Sequence, residues 1–324
     1  MLNIAIIAGG DSGEYEISMQ SGRQVELQLD KDKFQPYLIE IRKENWNCLL
    51  KKEIIPVDKN DFTLHTGGKI IRIDAVFNAI HGTPGENGKI QGYFDMLGIP
   101  YTSCDVTTSA LTFNKSFCKN VVTAFGITTA KSIHLFGSET KSAEHILSDL
   151  SLPVFVKPNN GGSSVGMSKV NRKQDLENAL HKAFHEDQEV LVEEFIPGRE
   201  LTCGVLKCKG QIIAFPVTEI ISRKEYFDYE AKYQEGLSDE VVPADVPSEI
   251  AGECQRISKF LFAKLNCKGV VRFDYILNGD TFYFLEVNTV PGLTAQSIVP
   301  KMARAYGWTM TEFFTRLIEE ALIQ

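Results

Sequence analysis

Near the end of the chain an apolar run carrying Arg272 and Asp274 is followed by the turn tripeptide Asn278-Gly279-Asp280. A second run carrying Glu286 and Asn288 comes next. β-branched and aromatic residues crowd both runs, and an Asn-Gly step between such runs marks a β-hairpin. With the turn centred near Gly279, Arg272 lies opposite Glu286 and Asp274 opposite Phe284. All four polar residues then share one face, because side chains alternate with period two. Val271, Phe273, Tyr275, Tyr283, Leu285 and Val287 take the other face, so the fold must bury one side of this sheet and keep a polar site on the other. Two carboxylates and an amide oxygen, with no softer ligand nearby, suit a hard cation such as Mg2+ that keeps waters and shares phosphate oxygens. A charged hairpin face is ordinarily only solvated. Here Thr289-Val290-Pro291-Gly292 follows at once, a turn whose backbone amides can approach a developing anion. The combination points to nucleotide chemistry.

The chain has 324 residues, 43% of them hydrophobic, enough for a sizeable core and two or three domains. Its formal net charge of -8 is spread along the sequence, which argues against nucleic acid or an anionic membrane as the main partner. The N-terminus runs directly into the strand-length segment Ile4-Ala5-Ile6-Ile7-Ala8 without a basic leader or cleavage signal, and no stretch is long and apolar enough to span a bilayer. The expected location is the cytoplasm. Seven cysteines, at 48, 104, 118, 203, 208, 254 and 267, form no Cys-x-x-Cys pair and read as small buried hydrophobes rather than a disulfide frame or zinc site. His134, His145, His181 and His185 show no carboxylate partners in the sequence.

The first third alternates strand and helix: Ile4 to Ala8, a helical pattern after Ser18, Tyr37 to Ile41, then Ala75 to Ile80. That order predicts a parallel sheet flanked by helices, with ligands beyond the carboxyl ends of the strands. The loops Gly9 to Glu14 and His81 to Glu86 fall at such ends. The first lacks the third glycine of a dinucleotide fingerprint and reads as a substrate loop. Between about Cys104 and Val192, the strand Val154-Phe155-Val156-Lys157-Pro158 leads into Asn159-Asn160-Gly161-Gly162-Ser163-Ser164-Val165-Gly166. This amide-rich loop can wrap phosphates, although its lysine precedes the glycines, unlike a Walker A loop. Met167 to Val170, a helix with Leu176, Leu180 and Phe184 on one face, and Glu189 to Ile196 complete this unit. Later come strands Leu201 to Lys207 and Gln211 to Val217, a polar stretch from Ser222 to Val241 of lid length, and a helix over 248 to 265 capped by Ser248. Two further helices close the chain.

With these parts in order, the chain resembles the D-alanine-D-alanine ligase family of ATP-grasp enzymes. The resemblance runs from Gly9-Gly10-Asp11-Ser12-Gly13-Glu14-Tyr15-Glu16-Ile17-Ser18 through His81-Gly82, Gly85-Glu86, Gly88 and Gln91-Gly92. It continues through Lys157-Pro158 with Gly162 to Gly166, Tyr229 to Tyr233, and Gly269 to Asp274, and ends at Glu286-Val287-Asn288-Thr289, Pro291-Gly292 and Thr294. It implies an α/β, three-domain ATP-grasp architecture with an N-terminal doubly wound parallel-sheet domain. The parts would be 1–103 for substrate, 104–192 with the phosphate loop, and 193–324 with the metal site and lid.

The family's reaction, as the resemblance implies it, phosphorylates one D-alanine with ATP and joins it to a second through a D-alanyl phosphate, for peptidoglycan synthesis, cell-wall biogenesis and cell shape. By similarity Asp274, Glu286 and Asn288 hold two Mg2+ ions, which Mn2+ can replace. Lys115, Lys157 and Lys232 reach phosphate oxygens, with Ser163 and Ser164 in the phosphate loop. Glu193, Glu194, Phe195 and Ile196 hold adenine, with Glu200 on the ribose. Arg272 and the Gly292 amide stabilise the oxyanion. Glu14 takes the first ammonium beside His81, and Ser297 and Ile298 take the second carboxylate. Glu14, Ser163 and Tyr233 link phosphate loop to lid, and the lid tyrosine favours D-alanine over D-lactate as acceptor. Val290 and Asn160 depart from residues common in the family. A homodimer is implied. The alternatives are another ATP-grasp carboxylate-amine ligase, which would not need Glu14 with Tyr233, and a non-catalytic nucleotide-binding protein, which would not need the intact metal set.

Overall fold

The computed structural model describes residues 1–50, 53–137, 142–162, 165–222 and 238–323. The first sheet contains β1 (Leu2–Gly9), β2 (Phe34–Arg42), β3 (Asn45–Leu50), β4 (Glu53–Asp58), β5 (Thr63–Thr66), β6 (Lys69–Ile71) and β7 (Ala75–Asn78) in the order β6-β5-β4-β3-β2-β1-β7. Strands β2, β1 and β7 are mutually parallel, as expected, while β2 to β6 form an antiparallel extension that the alternation did not predict. The uninterrupted apolar run of β1 has a direct cause: the sheet is covered on both faces. Ile4, Ile6 and Ala8 pack with Met19 and Val25 of helix Tyr15–Gln28 and with the closing helix Met310–Ala321. Ala5 and Ile7 face Ile90 and Phe94 of helix Lys89–Leu97.

The second sheet is antiparallel: β8 (Ser132–Phe136), β9 (Val154–Pro158), β10 (Ser168–Val170) and β11 (Glu189–Glu194), ordered β10-β9-β11-β8. Leu176, Ala179 and Ala183 of helix Leu176–Glu186 cover it. The third contains β12 (Arg199–Cys208), β13 (Gln211–Ala214), β14 (Thr218–Ser222), β15 (Ser238–Val241), β16 (Val270–Asn278) and β17 (Thr281–Asn288). They run in the order β15-β14-β12-β16-β17, with β13 beside β12. Helices Ser248–Lys264 and Lys115–Ala124 supply Cys254, Leu261, Cys118 and Val122 to its core. Ser248 is not a cap: Pro247 occupies the N-cap position and no side chain there accepts a helix N–H.

The hairpin forms, but in a different register. Asn278 pairs with Thr281 and Tyr275 with Phe284, whereas Asp274 pairs with Glu286 and Arg272 with Asn288, so Leu285 is skipped in a β-bulge. The turn offset alone would have placed Leu285 opposite Asp274 and reversed the intended face. The bulge restores it. Consequently Phe282 and Phe284, rather than Tyr283 and Leu285, join Val271, Phe273, Tyr275 and Val287 in the core. Leu285 lies on the polar side with Glu286.

Candidate active site

A cleft of about 690 Å3 opens between the second and third sheets. Its walls include Glu14, Lys115, Lys157, Glu193, Arg272 and Glu286, drawn from the second and third sheets, a connecting helix and the loop that follows β1. Lys157 ends β9 and Glu193 lies on the neighbouring β11, while Arg272 and Glu286 belong to the bulged hairpin.

At the hairpin, Asp274 is 4% exposed and takes four donors. Arg272 Nε and Nη2 bind its two oxygens at 2.8 and 2.7 Å, Asn288 Nδ2 donates at 3.0 Å, and Thr202 Oγ1 donates at 2.5 Å from the adjoining β12. Burial opposes the Arg272 charge, yet Asp274 beside it, with Glu286 and Glu200 further off, raises the guanidinium above its ordinary value. Lys115 Nζ lies 3.5 Å from Glu286 Oε2 and donates to the Gly161 carbonyl at 2.6 Å, linking the helix to the loop after β9. All candidate metal donors are oxygens on one face. Among the described residues no three His, Cys, Asp or Glu side chains gather into a cage. Two carboxylates and an amide thus leave coordination places for water and phosphate, the donor set that suits Mg2+.

Below Lys157 lies a buried ion cluster. Glu193 accepts from Lys157 Nζ at 2.5 Å and from Lys119 Nζ at 2.6 Å, and Lys119 also donates to the Ala130 carbonyl at 3.0 Å. Burial alone would raise the Glu193 carboxyl, but Lys157 and then Lys119 hold it down to about 2. The backbone N–H groups of Glu194 and Phe195 are spent on the carbonyls of Lys131 and Pro153, both at 3.0 Å. Phe195 stands edge-on to Phe155 at 5.8 Å, and Ile196 and Glu200 line the same wall.

The N-terminal loops meet the site from the other side. Glu14 precedes helix Tyr15–Gln28, and a Cβ on Gly162 would come within 2.6 Å of its Oε2, so the loop after β9 passes the carboxylate at a distance that suits glycine. His81 is buried, with Nδ1 at 2.8 Å from the Val290 carbonyl and Nε2 at 2.9 Å from Ser21 Oγ. The Val290 carbonyl can only accept, so Nδ1 carries the proton; in the neutral ring Nε2 then accepts from the Ser21 hydroxyl, whose oxygen also accepts the Leu293 N–H at 3.1 Å. Burial lowers the His81 pKa, which keeps the ring neutral. Glu86 takes the N–H of Gly82 at 2.8 Å and of Val290 at 3.0 Å, and burial, then Glu14, raise its carboxyl to about 7. Both polar groups of the Val290 peptide are therefore held by the His81 to Glu86 loop. A Cβ on Gly292 would meet Ser297 Oγ at 2.8 Å, which packs the turn against Ser297, the N-cap residue of helix Ile298–Ala305, with Ile298 buried behind it.

Ser163, Ser164, Tyr229 to Tyr233 with Lys232, and most of the expected lid lie outside the described residues. All seven cysteines are buried and unpaired, as expected. The expectation for the histidines fails at two positions. His134 Nε2 lies 2.8 Å from Glu189 Oε2, a partner 55 positions away on the neighbouring strand, and His185 Nδ1 lies 3.2 Å from Glu186.

Models of the D-ala D-ala ligase N-terminus and C-terminus match residues 3–104 and 121–319. The chain belongs to the D-alanine-D-alanine ligase family. The D-alanine-D-alanine ligase of Parabacteroides distasonis is 44% identical over 322 residues, 99% of this chain and 97% of that protein. Among solved structures, the VanG D-Ala:D-Ser ligase of Enterococcus faecalis superposes with a TM-score of 0.89 at 33% identity, covering 99% of both chains. D-alanyl-alanine synthetase A of Vibrio cholerae gives 0.89 at 30% identity, covering 100% of this chain and 99% of that one. In this ligase-family fold Glu86, Ser21, Thr202 and Lys119 all brace residues that line or adjoin the cleft, none of them a candidate site residue from the sequence. Two carry a sequence signal: Glu86 lies in the His81 to Glu86 loop, and Lys119 is a lysine one helical turn after Lys115.

Proposed function

We propose that this chain activates the carboxylate of one D-alanine with ATP and couples it to the amine of a second. It releases D-alanyl-D-alanine, ADP and phosphate for peptidoglycan precursor synthesis. The observation that carries this reading is the convergence of Glu14, Lys157, Arg272 and Glu286 on one cleft in a chain of this family. A free carboxylate is a poor electrophile, so the amide bond needs an activated acyl group.

In this reading Lys115 and Lys157, with Lys232, face the ATP phosphates, and Ser163 and Ser164 add hydroxyl donors. Ile196 and the carbonyls of the Glu193 to Ile196 segment take adenine, since two N–H groups there are already bonded within the protein, and Glu200 takes the ribose. Asp274, Glu286 and Asn288 would hold two Mg2+ ions, or Mn2+ in their place, which supply charge neutralisation at the phosphates when bound. Glu14 provides the anion for the first ammonium. Arg272 and the Gly292 amide donate to the oxyanion of the tetrahedral intermediate, where losing one donor typically costs about 100 to 1000-fold in rate. Ser297 and Ile298, at the start of a helix, suit the second carboxylate. With both ring nitrogens engaged, His81 acts by holding the Val290 to Leu293 turn in place. Tyr233 favours D-alanine as acceptor. A cytoplasmic homodimer, without nucleic acid or membrane partners, completes the reading. No helix of the described residues is long and apolar enough to cross a membrane.

The test is phosphate release from Mg-ATP with D-alanine, with L-alanine, and with D-alanine plus D-lactate or D-serine, products being identified by mass. Release with D-alanine and not L-alanine, yielding D-alanyl-D-alanine in every mixture, is expected. Silence with D-alanine while ATP still binds would overturn the substrate assignment. A dominant ester or D-serine product would overturn the acceptor.

A further inference from the structure

Among the described residues Lys119 is the most deeply buried cation near the cleft, with only 3% of its surface exposed. It follows Lys115 by one turn of helix Lys115–Ala124 but points into the protein, between Glu193 Oε2 at 2.6 Å and the Ala130 carbonyl at 3.0 Å. Lys157 claims the other oxygen of the same carboxylate at 2.5 Å. Burying an ammonium costs several kcal/mol, and apolar replacements of buried ion pairs are often neutral or stabilising, so stability alone is a weak reason for this arrangement.

Charge gives a better one. Lys157 and Glu193 line the cleft and Lys119 does not. Taken alone, the two lining groups cancel and would present a neutral pair to a polyphosphate. With Lys119 the cluster carries one net positive charge, and the part of it that faces the cleft is Lys157. We propose that Lys119 is a positioning residue for ATP: it satisfies one oxygen of Glu193 from behind, so that Lys157 meets the phosphates as an uncancelled cation. The inference rests on the reading of this cleft as the ATP site. It needs Glu193 ionised and Lys119 protonated: Lys157 and Lys119 hold the carboxyl at about 2 against its burial, and burial lowers the Lys119 ammonium while Glu193 beside it opposes that fall.

The experiment compares binding of ATP and of adenosine, which lacks the phosphates, to the full-length protein and to K119M, K119M/E193Q and K157M. K119M weakens ATP by about tenfold or more and adenosine by less than about twofold, because only the phosphates sense the lost charge. K119M/E193Q removes one charge of each sign and restores the surplus on Lys157, so the ratio of ATP to adenosine affinity returns to within about threefold of the original, whatever E193Q does to the adenosine part common to both ligands. The double variant leaves both buried positions uncharged, with Lys157 at the cleft, so it serves if K119M does not fold. ATP and adenosine weakening in step in K119M, or a double variant whose ratio stays as low as that of K119M, would overturn the proposal and leave Lys119 a packing residue. Unchanged ATP affinity in K157M would instead overturn the ATP-site reading itself, and the proposal with it.

Discussion

The sharpest expectations concern single carboxylates. Glu286 faces Asp274 across the hairpin and lines the cleft, while its strand neighbours Phe284 and Val287 are in the core. Changing Glu286 to Gln alters the charge and leaves the packing, so turnover should fall by about 100-fold or more with an unaltered thermal transition. A normal rate would remove Glu286 from the metal set. Glu86 tests the electrostatics differently. Its carboxyl is raised from an ordinary 4.5 to about 7, by burial first and Glu14 second. Between those values the folded protein keeps a proton that the unfolded chain has released, so stability falls as pH rises through this window, by at most about 1.4 kcal/mol per pH unit. Glu86→Gln, which cannot ionise, should flatten that slope. Melting curves at several pH values check it, and an equal slope in the variant would refute the assignment.

At the scale of the element, the hairpin shows both what was legible and what was not. Residue types and the Asn-Gly step located the two strands and the face carrying Arg272, Asp274, Glu286 and Asn288. The bulge was illegible, because nothing in the order Tyr283-Phe284-Leu285-Glu286 marks which residue will be skipped. That is settled by Phe284 fitting the core occupied by Tyr275 and Phe273. Deleting Leu285, the unpaired residue, should therefore keep every cross-strand pair. Deleting Tyr283 forces a slip that turns Phe282 or Phe284 out of the core, at a cost of about 2 to 3 kcal/mol. Thermal melts of the two deletions separate these cases, and equal destabilisation would contradict the register. The strands β3 to β6 are hard to read in the sequence for a related reason. They are short, and their alternating burial, as in Glu53 to Asp58, resembles polar loop sequence more than the continuous apolar run of β1.

Across the whole molecule the site depends on parts far apart in the chain. The turn after β17 is held by His81 and Glu86 of the loop after β7 and by Ser21 of helix Tyr15–Gln28, over sequence separations of 209, 204 and 272 residues. No local pattern could reveal such contacts; the loop His81 to Glu86 was visible as a ligand loop, and its structural grip on Val290 was not. His81→Ala would leave the Val290 carbonyl and Ser21 hydroxyl without their partner, a loss of about 1 to 3 kcal/mol. Because the turn carries Gly292 and leads to Ser297, kcat should drop while the KM for ATP stays within about twofold. An unchanged kcat would show that the turn holds its place without this clamp. The cleft is expected to make and consume an acyl phosphate, and one measurement reads this directly. With D-alanine labelled by 18O in its carboxylate and unlabelled Mg-ATP, the inorganic phosphate released should carry one 18O. Dipeptide formation with unlabelled phosphate would contradict it.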